Sequence, residues 1–455
     1  MTYIGTECEY PHMPSRRFRR TRARALVAAA AVLAVSATAA CSSSSSQPEA
    51  VKNSTLTVAA FNPFTGPDAS FGPEMMAGCL TAAAAVNAAG GVLSNKVACK
   101  GVDTRGDPAD AVTAAAKMMA TTPHLFGVLG PSSDEASATV PMIGANKIPM
   151  FADTGEVAFD RTKEQYFWRM IPADDVAGYA MALYAHRKGY LRAAAVFGND
   201  IAAQAVVPAL VKGWSALGGQ LVLNQKITVG QSSYQPEVEQ LIAAKPQVIF
   251  TEATPQANAT YLAELQQLNG GRLIPVIGSS ATVEPAWYTA VSQAIGKPAL
   301  SKYYVAEEPY APPQGGGWQA YSKALLATAG VAKPASQWSD DAYSMANYDG
   351  FIVMALAANA AKSTSPSVWN KFIPAVTTAS PGAVVVHSYA DGVAALKAGK
   401  KIDYVGATGL IVFNQFHNST GGFEIAGWQP NGNTPLVTSY TAADIAALIN
   451  PNAKG

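Results

Sequence analysis

Charge is scarce in this 455-residue chain: charged residues make up 14 % of it, with 32 basic against 31 acidic side chains. Nucleic-acid binding needs a clustered basic face. No basic block occurs beyond residue 24, so that class is excluded. Histidine is equally sparse. His12, His124, His186, His387 and His417 are scattered without the spacing of metal ligands, and neither a metal nor a cofactor is expected. No Gly-x-Ser-x-Gly elbow, His-Glu-x-x-His pair or Gly-x-x-x-x-Gly-Lys loop is present, which argues against catalysis. Past residue 40 there is no run of 18 uninterrupted apolar residues, so no membrane-spanning helix is expected there. Hydrophobic residues make up 49 % of the chain, enough for sizeable cores.

What is present begins at the N-terminus. Arginines crowd residues 16–24, and residues 25–40 are almost all Ala, Val and Leu. Cys41 follows Thr38-Ala39-Ala40 and precedes five serines. A basic region, an apolar region and small residues form an export signal. Ending on a cysteine, it resembles a bacterial lipoprotein signal, in which Cys41 takes a lipid and becomes the first mature residue. Two alternatives stand beside this. One is plain cleavage near Ala40, because lipoprotein signals favour Leu where Thr38 stands. The other is a retained anchor helix, although a span needs about 20 apolar residues. Ser15-Arg16-Arg17-Phe18 hints at a twin-arginine signal but lacks the residues that usually follow. Met13 is an alternative start. The reading is a signal over 1–40 and a Ser-rich tether over 41–53. Export puts Cys79 and Cys99 where disulfides persist. A bridge between them closes a loop of about 20 residues, worth roughly 3 kcal/mol; the alternative is two buried free thiols.

Beyond the tether, strands and helices alternate. Strands are expected at 55–61, 96–102, 125–129 and 149–151, with helices at 74–89, 109–119 and 136–145. After Pro172 the rhythm restarts. Helices at 176–188, 202–217, 236–244, 257–268 and 285–294 intersperse with strands at 193–197, 220–227, 248–251, 274–277 and 303–306. Late helices are expected at 342–361 and 389–398. Such alternation predicts an α/β protein with two doubly wound parallel-sheet lobes. Ligands bind such sheets beyond the carboxyl ends of the strands. The loops after Phe61, Leu129, Phe151, Phe197, Thr251 and Ile277 therefore face the expected cleft.

At those loops the sequence resembles the branched-chain amino-acid binding family of ABC importers, the type I periplasmic-binding fold. The matching segments are Phe64-Thr65-Gly66-Pro67 with Phe71-Gly72, the stretch 86–92, Asp103 with Asp107-Pro108, and Gly130-Pro131-Ser132-Ser133. Residues 230–234, 244–246 and 402–409, the last followed by Phe413-Asn414, continue the match. The resemblance implies a multi-crossing hinge, with crossings near Pro172, Glu307 and Gly406. Lobe 1 is then 54–172 plus 307–405, and lobe 2 is 173–306 plus 406–455. It implies a monomer that captures an amino acid, amide or carboxylic acid by hinge closure and presents it to a membrane permease and its ATPases. The other use of the fold is a ligand-sensing receptor domain. In some members a disulfide joins the positions of Cys79 and Cys99.

The resemblance also carries site residues. Ser132 or Ser133, with Ala152 and Thr154, match the holders of a ligand carboxylate, a role suited to hydroxyls and N–H groups at a helix N-terminus. Ser133 is otherwise a cap of the helix from 136, and Thr154 a turn residue. Asp174 matches a partner of the ligand ammonium, or else caps the helix from 176, with Asp175 its rival. Phe71 and Tyr343 match an aromatic wall or are core. Glu252 and Thr254 lie in a second-lobe contact loop. Where the family places a glutamate against the ammonium, this chain has Ser280, and Ile201 stands where an aromatic residue is common. Both changes suit a less charged ligand, unless Glu252 or Asp153 substitutes.

Overall fold

The computed structural model describes residues 52–310, 313–419 and 421–449. The signal over 1–40, Cys41 and the tether as far as residue 51 lie outside the described residues.

The first strand shows how the sheets are built. β1 (Thr55–Asn62) is buried without a break from Val58 onward, as a strand covered on both faces must be. It lies between β2 (Lys96–Asp103) and β3 (Leu125–Leu129). β4 (Met150–Ala152) and β5 (Phe167–Arg169) complete a parallel sheet in the order β2-β1-β3-β4-β5. The helices between them follow local rules. The helix Pro108–Thr121 starts on Asp107, whose carboxylate accepts from the N–H groups of Ala109 and Asp110, with Pro108 at the first helical position. The helix Gly72–Ala88 stops at Gly90 and Gly91, both at positive φ.

The second sheet comprises β6 (Arg192–Gly198), β7 (Gln220–Ile227), β8 (Val248–Glu252), β9 (Val276–Gly278) and β10 (Tyr304–Tyr310). The chain then returns to the first lobe with β11 (Val384–Val386), β12 (Ile402–Gly406) and β13 (Gly409–Leu410), and goes back for β14 (Gly422–Gly427) and β15 (Leu436–Tyr440). The seven-stranded order is β15-β14-β10-β9-β8-β6-β7. Its pairs are parallel except β10–β14 and β14–β15, which are antiparallel. Each lobe has its own buried apolar clusters, and the small sheet β11-β12-β13 shares one with the first sheet. The architecture is thus α/β with two lobes.

Several boundaries differ from those read in the sequence. β5, the antiparallel tail β14–β15 and the helix Gly315–Ala327 were not expected. Glu307 sits inside β10, paired with Ile425 of the second sheet, so the crossing falls beyond Tyr310 rather than at Glu307. The return to lobe 2 also comes later than Gly406. β13 pairs with β12, His417 stacks on Trp168 with centroids 3.8 Å apart, and Ser419 donates to the Arg169 carbonyl. Residues 406–419 therefore pack with lobe 1, and the chain crosses just before Gly422.

The helix Ala342–Ala361 is buried from Ser344 to Ala358 and forms the centre of the first-lobe core, as an all-round apolar helix must. No described helix is long and apolar enough to cross a membrane. A Cβ on Gly78 would come within 2.2 Å of the Ser344 carbonyl oxygen, so glycine lets two helix backbones touch. Buried Asp349 accepts from Tyr404 Oη, the N–H groups of Ala407 and Thr408, and Thr408 Oγ1, all within 2.9 Å. That knot ties the turn after β12 to the central helix of the lobe.

Cys79 and Cys99 are disulfide-bonded, tying the helix Gly72–Ala88 to β2 across 5.9 Å between Cα atoms. Replacing both by serine is expected to cost about 3 kcal/mol. Thermal unfolding measures it; an unchanged Tm, also insensitive to reductant, would show that the bridge contributes nothing.

Candidate functional site

The carboxyl ends of the strands from both sheets open onto one cleft between the lobes, enclosing about 660 Å³ of non-protein space, part of it continuous with solvent. The two lobes meet around it. The Ala202 N–H of lobe 2 donates to Asp134 Oδ1 of lobe 1 at 2.9 Å. Tyr343 Oη donates to Ser280 Oγ at 3.2 Å, and the Asp174 N–H to the Gly155 carbonyl at 2.8 Å. A Cβ on Gly155 would sit 1.8 Å from Asp174 Oδ1, so only glycine permits that approach. This is a closed arrangement.

Seven of the ten expected residues line the cleft: Phe71, Ser132, Ser133, Asp174, Glu252, Ser280 and Tyr343. Phe71 and Tyr343 meet edge to face at 5.6 Å and form an aromatic wall. Ser133 is the first residue of its helix rather than a cap before it, and Ser132, at the N-cap position, makes no capping bond. Ser132 Oγ donates to Glu135 Oε1 at 2.9 Å, and Ser133 Oγ accepts from the Gly155 N–H at 3.3 Å. Asp174 is likewise no cap; Ala173 holds that position in the helix Asp174–Arg187.

The other three stand back from the cleft wall. Ala152 is fully buried in β4 and its carbonyl accepts from the Met170 N–H. Thr154 is buried behind Ser133, with the two hydroxyls 3.2 Å apart, and accepts from the Glu156 N–H. Thr254 caps the helix Pro255–Leu268 through the Ala257 N–H and borders a smaller neighbouring pocket. Their neighbours Asp153 and Gly155 line the cleft instead. Ile201, where an aromatic was missed, is 43 % exposed and outside the lining.

Charge is the feature that sequence reading underestimated. Asp68, Asp134 and Asp153 from lobe 1 face Asp174, Glu252 and Glu307 from lobe 2, and no lysine, arginine or histidine lines the cleft. Burial pushes Glu252 up to about 8 and Asp153 up to about 7. Burial and the nearby Asp134 hold Asp68 well above the usual carboxylate range, and burial does the same for Glu307. Ser279 Oγ donates to Glu252 Oε2, and Asn347 Nδ2 to Asp153 Oδ2 at 2.9 Å. Glu307 has no such help: it is 1 % exposed and neither carboxyl oxygen has a hydrogen-bond partner. Asp153 Oδ1 is in the same state. Buried carboxyl oxygens facing a cavity, with no donor supplied by the protein, are arranged for a donor supplied by a ligand. Asp68 and Asp134 each directly follow a quoted motif and were within reach of the sequence. Glu307 and Phe423 were not, because the β10–β14 pairing brings them there.

The profile described as periplasmic binding protein matches residues 55–433. The chain belongs to that family. It is therefore a binding protein and not an enzyme. The Leu/Ile/Val-binding protein BraC3 of Rhizobium johnstonii is 27 % identical over 203 residues, which are 44 % of this chain and 54 % of BraC3. The match thus spans about half of that relative's length. Among solved structures, the leucine-binding protein LivK of Thermotoga maritima superposes with a TM-score of 0.66 at 15 % identity, covering 86 % of this chain and 99 % of LivK. LivJ of Streptococcus pneumoniae, in complex with isoleucine, gives 0.65 at 15 % identity and covers 85 % and 99 %. A solute-binding protein from R. palustris, in complex with benzoate, gives 0.66 at 14 % identity and covers 86 % and 97 %. These likenesses establish the type I periplasmic-binding fold.

Proposed function

We propose that this periplasmic binding protein is the solute-capturing component of an ABC importer, and that its solute carries an ammonium group. The relatives bind amino acids or aromatic acids, which bounds the solute to something small. The observation that narrows it is the cleft's six carboxyl side chains with no basic residue among them. A solute with only a carboxylate, such as benzoate, meets no counter-charge there. An amino acid or other amine does, and Glu252 and Asp153 supply what Ser280 lacks. The closure mechanism follows from the same charges. Bringing three acidic groups from each lobe together costs free energy, through desolvation and repulsion or through proton uptake, and a bound cation lowers that cost. Closure on the solute then adds contacts from both lobes at once. Phe71 and Tyr343 give the apolar part of the solute a face to pack on.

The test is identification by mass spectrometry of any small molecule released on denaturation, followed by titration calorimetry with amino acids, amines and benzoates. Micromolar binding restricted to ammonium-bearing solutes is expected. Binding only of acids that lack an amine would overturn the reading.

The closed form would be presented to the permease and its ATPases, with the protein acting as a monomer. Cys41 would carry the lipid that keeps it near them. The intact mass of membrane-extracted protein checks the anchor, because an unmodified Cys41 thiol removes it.

A further inference from the structure

We infer that the line along which the lobes meet carries a second site, outside the solute cleft, for a hard cation of calcium's size, formed by Glu74, Glu284 and Asp341. Two elements of lobe 1 and one of lobe 2 bring these residues together. Glu74 is in the first turn of the helix Gly72–Ala88, and Asp341 precedes the helix Ala342–Ala361. Glu284 precedes the helix Pro285–Ile295, across the interface. Each offers a carboxylate oxygen, and these oxygens lie within 4.8 Å of one another. None of the three residues lines the solute cleft.

The second observation is the state of those oxygens. Glu74 is 0 % exposed and Glu284 is 2 % exposed. Both oxygens of Glu74, and Oε2 of Glu284, are buried and meet no N–H or hydroxyl donor; the polar groups beside them are the other carboxyls of the cluster. Asp341 commits Oδ1 to the Ser344 N–H at 2.6 Å. The ion pairs Arg105–Asp110 and Arg169–Asp160 lie elsewhere. Two acidic groups have therefore been taken out of water at a closing surface beside a third that is half-buried, and only the third, Asp341, accepts from a backbone N–H there. Unpaired buried charge is strongly unfavourable, and buried carboxylates that gather without a basic residue coordinate metals.

The donor set suits calcium, which binds carboxylate oxygens at about 2.3–2.6 Å in flexible geometry, so that three such oxygens within 4.8 Å of one another can surround one ion. Magnesium demands near-ideal octahedral geometry at about 2.0–2.1 Å and dehydrates reluctantly, so a dry cluster of protein carboxylates suits it less. Because Glu284 comes from the opposite lobe, a bound cation joins the lobes as the solute does. Cation and solute then each favour the closed state, and each raises the other's affinity by the same factor.

The experiment uses the purified full chain, stripped with a chelator and titrated with calcium chloride alone. One site is expected, saturating by about millimolar calcium, with a rise in Tm of several degrees. Glu284→Gln should lose the heat and the Tm rise while still folding, because its lobe keeps its own core. Glu74→Gln, if it folds, should do the same. Absence of both signals in the wild-type chain would overturn the site. So would a calcium response that survives Glu284→Gln. A Tm that rises on acidification with no calcium response would also overturn it, and would assign the cluster to a shared proton.

Discussion

Glu307→Gln is expected to weaken capture of an ammonium-bearing solute about 100-fold or more, with little change in Tm. Glu307 lies in β10 at the cleft wall, 1 % exposed, with both oxygens lacking partners. Its carboxyl is held well above its ordinary range by burial first, and then by Asp174 and Glu252. The unliganded protein therefore disfavours its ionised form, and a neutral amide of the same shape is well tolerated there. The bound state differs. An ammonium group beside Glu307 favours the ionised form, and the two make a desolvated pair. Removing one partner of such a pair costs about 3–5 kcal/mol, and each 1.4 kcal/mol is about tenfold in affinity. Titration calorimetry and thermal unfolding on the same preparations separate the two effects. An affinity within about threefold of wild type would show that Glu307 does not meet the ligand.

Affinity for such a solute is also expected to climb steeply, by roughly tenfold or more, between pH 6 and pH 8, with protons released on binding. The groups that set this window are Asp153, pushed up to about 7, and Glu252, pushed up to about 8, both by burial. Each must lose its proton to pair with an ammonium, which itself stays charged throughout this range. The sign for stability runs the other way. A carboxyl titrates near 4 in the unfolded chain, so the folded, unliganded state holds these protons more tightly than the unfolded state does. The stability contributed is fully present below about pH 4 and is lost as pH rises through about 7 to 8. Tm of the unliganded protein should therefore fall from acid to mildly alkaline pH, and saturating solute should flatten that fall. Calorimetry in two buffers of different ionisation enthalpy counts the released protons. Affinity that is flat with pH, or that rises on acidification, is incompatible with ammonium recognition by these carboxyls.

Much of the fold was legible because it rests on local rules. Asp107-Pro108 starts a helix by capping, and Gly90, Gly91 and Gly218 end helices at positive φ. The unbroken apolar run in β1 announces a strand covered on both faces. The helix Ala342–Ala361 was read with its observed ends. The antiparallel tail was not legible: β14 and β15 are short, and they become strands by pairing with β10 and each other. For the same reason the boundary at Glu307 was misplaced, since only its pairing with Ile425 keeps it in the second sheet.

The site divides in a similar way. Loop motifs led to seven residues of the wall, since the carboxyl ends of parallel strands converge by construction. Those motifs also pointed at Ala152, Thr154 and Thr254, each beside a lining residue or behind it, where one step along the chain turns a side chain away from the cavity. Ser280 lines the cleft, but a serine at one position says little about the charge of the whole cavity. Electrostatics belong to the whole cavity, and Asp68, Asp134 and Glu307 arrive from separate segments.

By itself, then, the sequence determined that this chain is an exported, two-lobed α/β binder with a disulfide-ready pair and no catalytic motif. Those properties are written in composition, spacing and local punctuation. Only the tertiary structure decided the character of the cleft and the acidic seam beside it. Glu307 and Asp153 are 154 residues apart in the chain, and Glu74 and Glu284 are 210 apart. Charge acts through space over a few ångströms, and no local pattern records which distant carboxyls folding will bring face to face.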